Sequence, residues 1–494
     1  MRVVAGAAQR GPVVPSAVVI CGLALLSLTI LSGVGVMAVA VLVAAAGLGA
    51  LTYRSFLQWR IFVATIILVI LFVPIRRYAL PGHLPFNLEP YRILVALVLG
   101  GWLVSLLVDP KVRLAGSVFD RQIGLVVAAV LASDVLNPGR VNSVGSSVPK
   151  ALSFFLSYVL VYYLIVSVVR DWRTIDFLLK LLVGGGAAIG VFALIERRTD
   201  YNVFNHLHAI APFLKFQGAI GAGGLARGGT RLRVYGPAEH PIALGALFVI
   251  LIPLGIYLAR QTGKRRWWLA VAVLSLGAFA TVSRTAVIML AVVALVFLRL
   301  RPKETKRLWP LVIPILAAVH IAMPGTLGSL RAAFFPQGGL IAQQSNVVAG
   351  NQLRSNGRLA DIGPSLHEVS GRPFFGEGYG TRIVGFNEKH NNAAILDDQW
   401  LGTLLETGIV GFFGWLWIFS RCVRRLSRGS REDDSARGWL FTGLAASIAS
   451  FGVGMVTFDA FSFTQVAFVF FILFALAAVV TSTRLEPQGP ERLS

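Results

Sequence analysis

Long apolar runs separated by short polar gaps fill nearly the whole chain. A bilayer-spanning helix needs about 20 mostly apolar residues, with some tolerance. On that measure spans are predicted at 17–32, 35–52, 59–76, 91–108, 119–136, 149–169, 174–194, 239–259, 266–282, 284–300, 308–323, 399–420, 438–458 and 461–482. Inside lipid the backbone satisfies its own polar groups only as a helix or a closed barrel. The pattern therefore predicts an all-α polytopic membrane protein with about 12–14 transmembrane helices. Two polar stretches interrupt it, Tyr201–Glu239 and Pro324–Asp398, and the second is long enough to be a working domain rather than a spacer. The organisation that follows is an N-terminal hairpin at 1–58 and a core bundle at 59–323 with an external loop at 196–238. A large extracytoplasmic loop at 324–398, C-terminal helices at 399–482 and a cytoplasmic tail at 483–494 complete it.

Charge orients these elements. Lys and Arg concentrate in the gaps Tyr53–Trp59, Asp109–Arg121, Arg170–Arg173, Arg260–Arg266, Arg299–Arg307 and Arg421–Arg437. Basic residues mark cytoplasmic gaps, so both termini fall in the cytoplasm and both long polar stretches fall outside, on the same face. Arg76-Arg77 is the exception among the short external gaps. The N-terminus, with Arg2 and Arg10 before an apolar run, mimics a signal peptide but reads as a retained first helix, because further apolar runs follow at once. The protein has 56% hydrophobic and 14% charged residues, against about 45–50% and 25% for soluble domains, which excludes a soluble enzyme. The formal charge of +22 arises mainly from the orienting gaps and suits anionic membrane lipid. No basic face with interleaved aromatics points to nucleic acid. Cys21 and Cys422 lie in topologically separate segments, which argues against a disulfide.

Several polar residues stand where chemistry is plausible. Arg231 and Arg233 close the first external loop in Arg231-Leu-Arg233-Val-Tyr235-Gly236-Pro237-Ala-Glu239-His240-Pro241. A guanidinium fork binds two oxygens of a diphosphate at once; the alternative is an arginine reaching to lipid headgroups. Arg284, in Ser283-Arg284-Thr285, lies between two spans with almost no loop, and an ionisable residue at membrane depth is by default functional. Asp397-Asp398 precede a span: Asp398 reads as the helix cap and Asp397 as a proton acceptor, with the reverse assignment open. His390 is a second source of a base. Glu406 lies about two turns into the following helix. Gly376, Gly378 and Gly380 permit tight backbone around Tyr379. His206 and His208 lack a third ligand at metal-binding spacing.

The runs Pro373-Phe374-Phe375-Gly376-Glu377-Gly378-Tyr379-Gly380 and Trp400-Leu401 … Glu406-Thr407-Gly408-Ile409-Val410-Gly411, with Arg233 … Gly236 … His240-Pro241 and Ser283-Arg284-Thr285, resemble the O-antigen ligase and Wzy-type polysaccharide polymerase superfamily. The resemblance covers roughly the last two-thirds of the chain. It implies a GT-C-like bundle and a metal-independent, inverting glycosyltransferase without a cofactor. That enzyme would move a glycan from a polyprenyl-diphosphate donor to a glycan or lipid acceptor hydroxyl at the outer face of the bacterial cytoplasmic membrane. It makes Arg233, Arg284 and Arg358 diphosphate-binding residues, with Arg231 beside them, and Glu406, His240 and Tyr379 supporting ones. Two positions depart from the family pattern. Asp397-Asp398 stand where it has His-Asn, and Ile242 stands where Asn often follows the Pro. A transporter or flippase of a lipid-linked or anionic glycan is the alternative; it predicts matched internal repeats, which the chain does not display.

Overall fold

Helix α1 (Trp59–Phe72) and helix α2 (Pro90–Val108) open the described part of the chain. The computed structural model describes residues 59–81, 88–109, 112–144, 147–218, 233–308, 325–335, 362–382 and 396–482, with isolated positions between 310 and 321. The predicted spans at 17–32 and 35–52, most of 308–323, and the candidates Arg231, Arg358 and His390 lie outside the described residues.

Next come α3 (Asp120–Leu136), α4 (Pro138–Val144) and α5 (Ser147–Phe154), which continues through a π-turn at Phe155–Leu160 into α6 (Val161–Val168). Helix α7 (Trp172–Thr199) leads into the first long loop. Then follow α8 (Pro241–Thr262), α9 (Arg265–Ala280), α10 (Arg284–Leu300) and the short α11 (Pro302–Leu308). The second long polar stretch contributes α12 (Thr326–Phe334) and α13 (Ile362–Gly371). Helices α14 (Gln399–Glu432), α15 (Ala436–Gly454) and α16 (Thr464–Val480) close the bundle. Five of these segments are long and apolar enough to cross a membrane: Pro90–Val108, Lys150–Val168, Trp172–Thr199, Pro241–Thr262 and Gln399–Glu432. The chain is an all-α membrane protein, and among the described residues only one two-residue strand pair interrupts the helices, β1 (Tyr78–Ala79) against β2 (Lys215–Phe216).

Helix α8 is enclosed over nearly its whole length by α7, α9, α10 and α15. That burial accounts for a segment apolar on all faces. The triple glycine of α7 serves close packing: a Cβ at Gly185 would stand 2.7 Å from Leu71 of α1, and one at Gly186 2.5 Å from Leu251 of α8. Leu97, Leu103, Val104 and Leu107 of α2 are exposed, as lipid-facing side chains are.

Helix α14 departs from the predicted span 399–420 in two ways. It runs on to Glu432, through what reads as a basic gap, and its backbone breaks at Gly408 (φ 65°, ψ −167°). At its far end buried Arg301 ties α10 to the α14–α15 turn. The guanidinium pairs with Asp434 and donates to the carbonyls of Ser430 (2.8 Å) and Asp433 (2.6 Å). Asp434 is itself 95% exposed. Arg301 therefore pins the turn between α14 and α15.

Candidate functional site

The first long loop is clamped between two buried ionisable side chains. Arg77 donates through Nη1 to Asn205 Oδ1 (2.7 Å) and through Nη2 to the carbonyls of Gly236 (2.6 Å) and Ala238 (3.1 Å). Its guanidinium lies 4.9 Å from the Tyr235 ring centre. Burial lowers its pKa to about 10, so it remains cationic at neutral pH. From the other side Glu196, on the last turn of α7, accepts from the amides of Tyr235 (3.2 Å) and Gly236 (2.9 Å). Gly236 takes φ +50°, the left-handed region that a side chain disfavours. This clamp fixes the segment that starts at Arg233.

Arg233 is buried and donates from Nε to the Thr281 carbonyl (3.1 Å), in the turn between α9 and α10. In that turn Val282 has φ +48°. A β-branched residue there is strained, and such strain concentrates at functional sites. The turn ends at Arg284, the first residue of α10. Arg233, from the loop, is therefore seated on the backbone three residues before Arg284.

Glu239 and His240 follow on the approach to α8. Glu239 is buried and pairs with Arg76 Nε at 3.3 Å. Arg76, at φ +64°, also donates from its amide to Glu89 Oε1 (3.0 Å) and from Nη2 to the Ser462 carbonyl (3.1 Å). Burial pushes the Glu239 carboxyl up to about 7, against the attraction of Arg76 and the amides of Gln465 and Thr464. A carboxyl raised in the folded state makes the fold bind more protons than the unfolded chain between pH 4.5 and 7. Stability is then fully present below that window and declines as pH rises through it. The expected result is a melting temperature that falls from pH 5 to pH 8 in the wild type and falls less in Glu239→Gln; parallel profiles would remove Glu239 as the source. His240 caps α8, its Nδ1 accepting from the Ile242 amide (3.2 Å), and stacks on Phe463 at 5.7 Å.

The carboxylates near the second loop divide their roles. Asp398 caps α14, its Oδ1 accepting from the amides of Trp400 (2.9 Å) and Leu401 (3.1 Å). Asp397 is half-buried beside it. Glu406 is buried and pairs with Lys150 Nζ at 3.1 Å, and Lys150 stands 5.5 Å from the Tyr379 ring centre. Asp459, in the connection between α15 and α16, accepts from the Ser462 hydroxyl. Burial raises its carboxyl, Lys150 opposes that, and the charges of Glu406 and Asp397 reinforce it. These groups therefore act on one another within one electrostatic neighbourhood.

The glycine-rich run and the break in α14 are two halves of one structure. Where α14 breaks, the carbonyls of Leu405 and Glu406 and the amides of Ile409 and Val410 are available to partners outside the helix. Glu377 and Gly378 donate to those carbonyls (2.9 and 3.3 Å), and the amides bond to the carbonyls of Pro373 (2.8 Å) and Phe374 (3.2 Å). Gly376, at φ +67°, lies so close that a Cβ would stand 2.4 Å from the Leu405 carbonyl oxygen. The end of α3 completes the seat. Ser133 Oγ accepts from the Gly378 amide (3.0 Å), Asp134 Oδ1 from the Tyr379 amide (2.7 Å), and Asn137 Nδ2 donates to the Gly376 carbonyl (3.0 Å). Beneath the run Arg140 pairs with Glu377 (2.9 Å), and Arg382 bridges Glu377 and Glu368.

The connection 455–463 links these parts. Its Met455 carbonyl accepts from the Gln399 amide (2.8 Å), and Gln399 Oε1 accepts from the Phe461 amide (2.8 Å), which fixes it beside Asp397-Asp398. Thr457 donates to Thr285 (2.9 Å), next to Arg284. Asp459 senses Lys150 and Glu406, Ser462 holds Arg76, and Phe463 packs on His240. Of the candidates read from sequence, His240 packs on this connection, Asp397 and Glu406 act electrostatically on its Asp459, and the residues next to Arg284 and Asp398 are bonded to it, while Arg233 is held at Thr281. Tyr379 joins through Lys150. Sequence reasoning missed Lys150 and Asp459. The available signal was an acidic residue alone in the short gap between the last two spans, and a lysine at the start of an apolar run.

Lys150 and Glu406 are expected to couple. Lys150→Met or Glu406→Gln alone should destabilise the protein, and the double variant should recover part of the loss, with an interaction of about 1 kcal/mol or more in a double-mutant cycle. Strict additivity in thermal unfolding would deny the pair a role. Among the described residues no group of three or more His, Cys, Asp or Glu is arranged to hold a metal.

Comparison with known proteins bears on the same region. Residues 269–416 match the family model described as O-antigen ligase (Wzy_C). The match runs from α9 to the middle of α14 and includes Arg284, Asp397, Asp398 and Glu406. No curated protein matches the chain.

Proposed function

With the O-antigen ligase domain of the Wzy superfamily as its premise, we propose that this membrane protein is a metal-independent, inverting glycosyltransferase. It moves a glycan from a polyprenyl-diphosphate donor to a glycan or lipid hydroxyl at the outer face of the bacterial cytoplasmic membrane. The observation that carries the reading is the seating of Arg233 on the turn that ends at Arg284. Two arginines from different elements suit the two phosphates of a diphosphate, and their charge opposes the charge that develops as it departs. In the reaction the acceptor hydroxyl gives its proton to Asp397, and its oxygen attacks the anomeric carbon from the face opposite the diphosphate. The bond from that carbon to the diphosphate oxygen breaks, and polyprenyl diphosphate leaves.

Asp459, its carboxyl raised by burial, stands in the same electrostatic neighbourhood as Asp397. Both termini lie in the cytoplasm in this reading, and the helices form a GT-C-like bundle. The test is transfer by the purified protein in nanodiscs supplied with a polyprenyl-diphosphate oligosaccharide, envelope extract as acceptor and EDTA. Transfer with release of polyprenyl diphosphate is expected. Movement of the intact lipid-linked glycan between leaflets without release would establish a transporter instead.

A further inference from the structure

A cavity of about 770 Å³ opens at the end of the bundle away from the candidate site. Two helices establish that separation. Helix α3 touches the cavity through Asp120 at its N-terminus and the glycine-rich run through Ser133 and Asp134 at its C-terminus. Those two ends are about 20 Å apart at 1.5 Å per residue. Helix α16 begins beside Phe463 and ends at Thr481 and Ser482 in the cavity wall.

Three arginines from three elements line the opening: Arg113 before α3, Arg170 between α6 and α7, and Arg425 on α14. All three are exposed side chains. The one carboxylate in the wall, Asp120, is already engaged. It accepts from the Ser117 amide (2.9 Å) and from the Tyr163 hydroxyl (2.9 Å). The net field is therefore positive, and the N-terminus of α3 adds to it. Beside the arginines and the hydroxyl residues Ser117, Ser167, Thr481 and Ser482, Leu114, Val118, Val166 and Val479 supply an apolar part of the wall; Leu114 is 63% exposed. A volume in the range of ligand sites, with cationic rim and apolar wall, matches an amphiphile with an anionic head.

We infer that this cavity binds an anionic phospholipid of the leaflet opposite the candidate catalytic site, its headgroup phosphate on Arg113, Arg170 and Arg425 and the start of an acyl chain along Leu114 and Val118. Basic pockets between transmembrane helices on the cytoplasmic side take such headgroups. A soluble phosphate would use the rim and leave the apolar wall unoccupied.

The experiment is lipid titration of the purified full chain in detergent, followed by native mass spectrometry and thermal unfolding. The probes are dioleoyl phosphatidylglycerol, dioleoyl phosphatidylcholine and inorganic phosphate. Each arginine is worth about fivefold in affinity for an anionic lipid, so Arg113→Ala/Arg170→Ala/Arg425→Ala should bind phosphatidylglycerol about a hundredfold more weakly than the wild type. Leu114→Asn, which removes apolar contact for the acyl chain and leaves the charges alone, should also weaken it, at an unchanged melting temperature without lipid, since Leu114 is 63% exposed. This second variant decides the matter if the triple variant does not fold. Equal affinity for phosphatidylglycerol in the wild type and the variants would overturn the inference, as would equal binding of phosphatidylcholine. Full competition by inorganic phosphate would make it a soluble-anion site and overturn the lipid assignment.

Discussion

Arg284→Ala is expected to lower the rate of glycan transfer by about 100-fold or more, the scale seen when one donor to a developing oxyanion is removed. The expected loss is in kcat rather than KM, because charge on the diphosphate bridge grows as the glycosidic bond breaks. An interaction made mainly in the transition state shows in that split. Arg284→Lys should recover only part of the rate, since an ammonium restores charge without the planar fork. Arg233→Ala should be comparably damaging for a second reason: Arg233 also donates to the Thr281 carbonyl and so secures the turn that presents Arg284. The two variants together should cost less than the product of their separate effects, because they act on one leaving group. Initial rates of polyprenyl diphosphate release at saturating donor give the measurement. Wild-type turnover in Arg284→Ala would sink the leaving-group role.

The sequence made visible what local physics decides. Asp398 sits at the N-cap of α14, where its carboxylate meets two amide groups, and short-range capping of this kind can be read from a few residues. The beginnings of α8 at Pro241 and α10 at Arg284 likewise coincide with the polar residues that interrupt apolar runs. The break at Gly408 was hidden. Glu406-Thr407-Gly408-Ile409 reads as continuous helix, and the backbone leaves it only because Pro373 and Phe374, more than thirty positions earlier in the sequence, supply carbonyls to its amides. Arg76 and Arg77 stood as exceptions to the charge rule for external gaps. Their reason is likewise tertiary, since Arg76 serves Glu239 and Arg77 serves the carbonyls of Gly236 and Ala238. Lys150 and Asp459 each stand out in the sequence only as a lone charge at the edge of an apolar run, and their grouping with Glu406 is tertiary, so spacing along the chain marks the residues but not the group.

The same long-range dependence gives Gly408→Ala a large expected effect on stability. At φ 65° and ψ −167° the residue occupies a region essentially restricted to glycine, and occupying it with a side chain costs about 1–3 kcal/mol in strain alone. A Cβ there would also stand 2.3 Å from both the carbonyl carbon and the oxygen of Phe374. Those are backbone atoms bonded to the Val410 amide, so relief requires the glycine-rich run to lift off the break. Lifting it exposes the Leu405 and Glu406 carbonyls and draws Tyr379 away from Lys150. The sum is about 4 kcal/mol or more, a size that single substitutions reach only through a named disruption of this kind. Gly402→Ala is the control, because a Cβ at Gly402 meets only the Gln399 amide nitrogen of the side chain, at 3.9 Å. In detergent, thermal unfolding should drop sharply for Gly408→Ala and stay near wild type for Gly402→Ala, with transfer lost in the first and retained in the second. Equal stability of the two variants would mean that the run and the break do not hold each other, and the electrostatic group around Glu406 would then have to be positioned by α3 and the 455–463 connection alone.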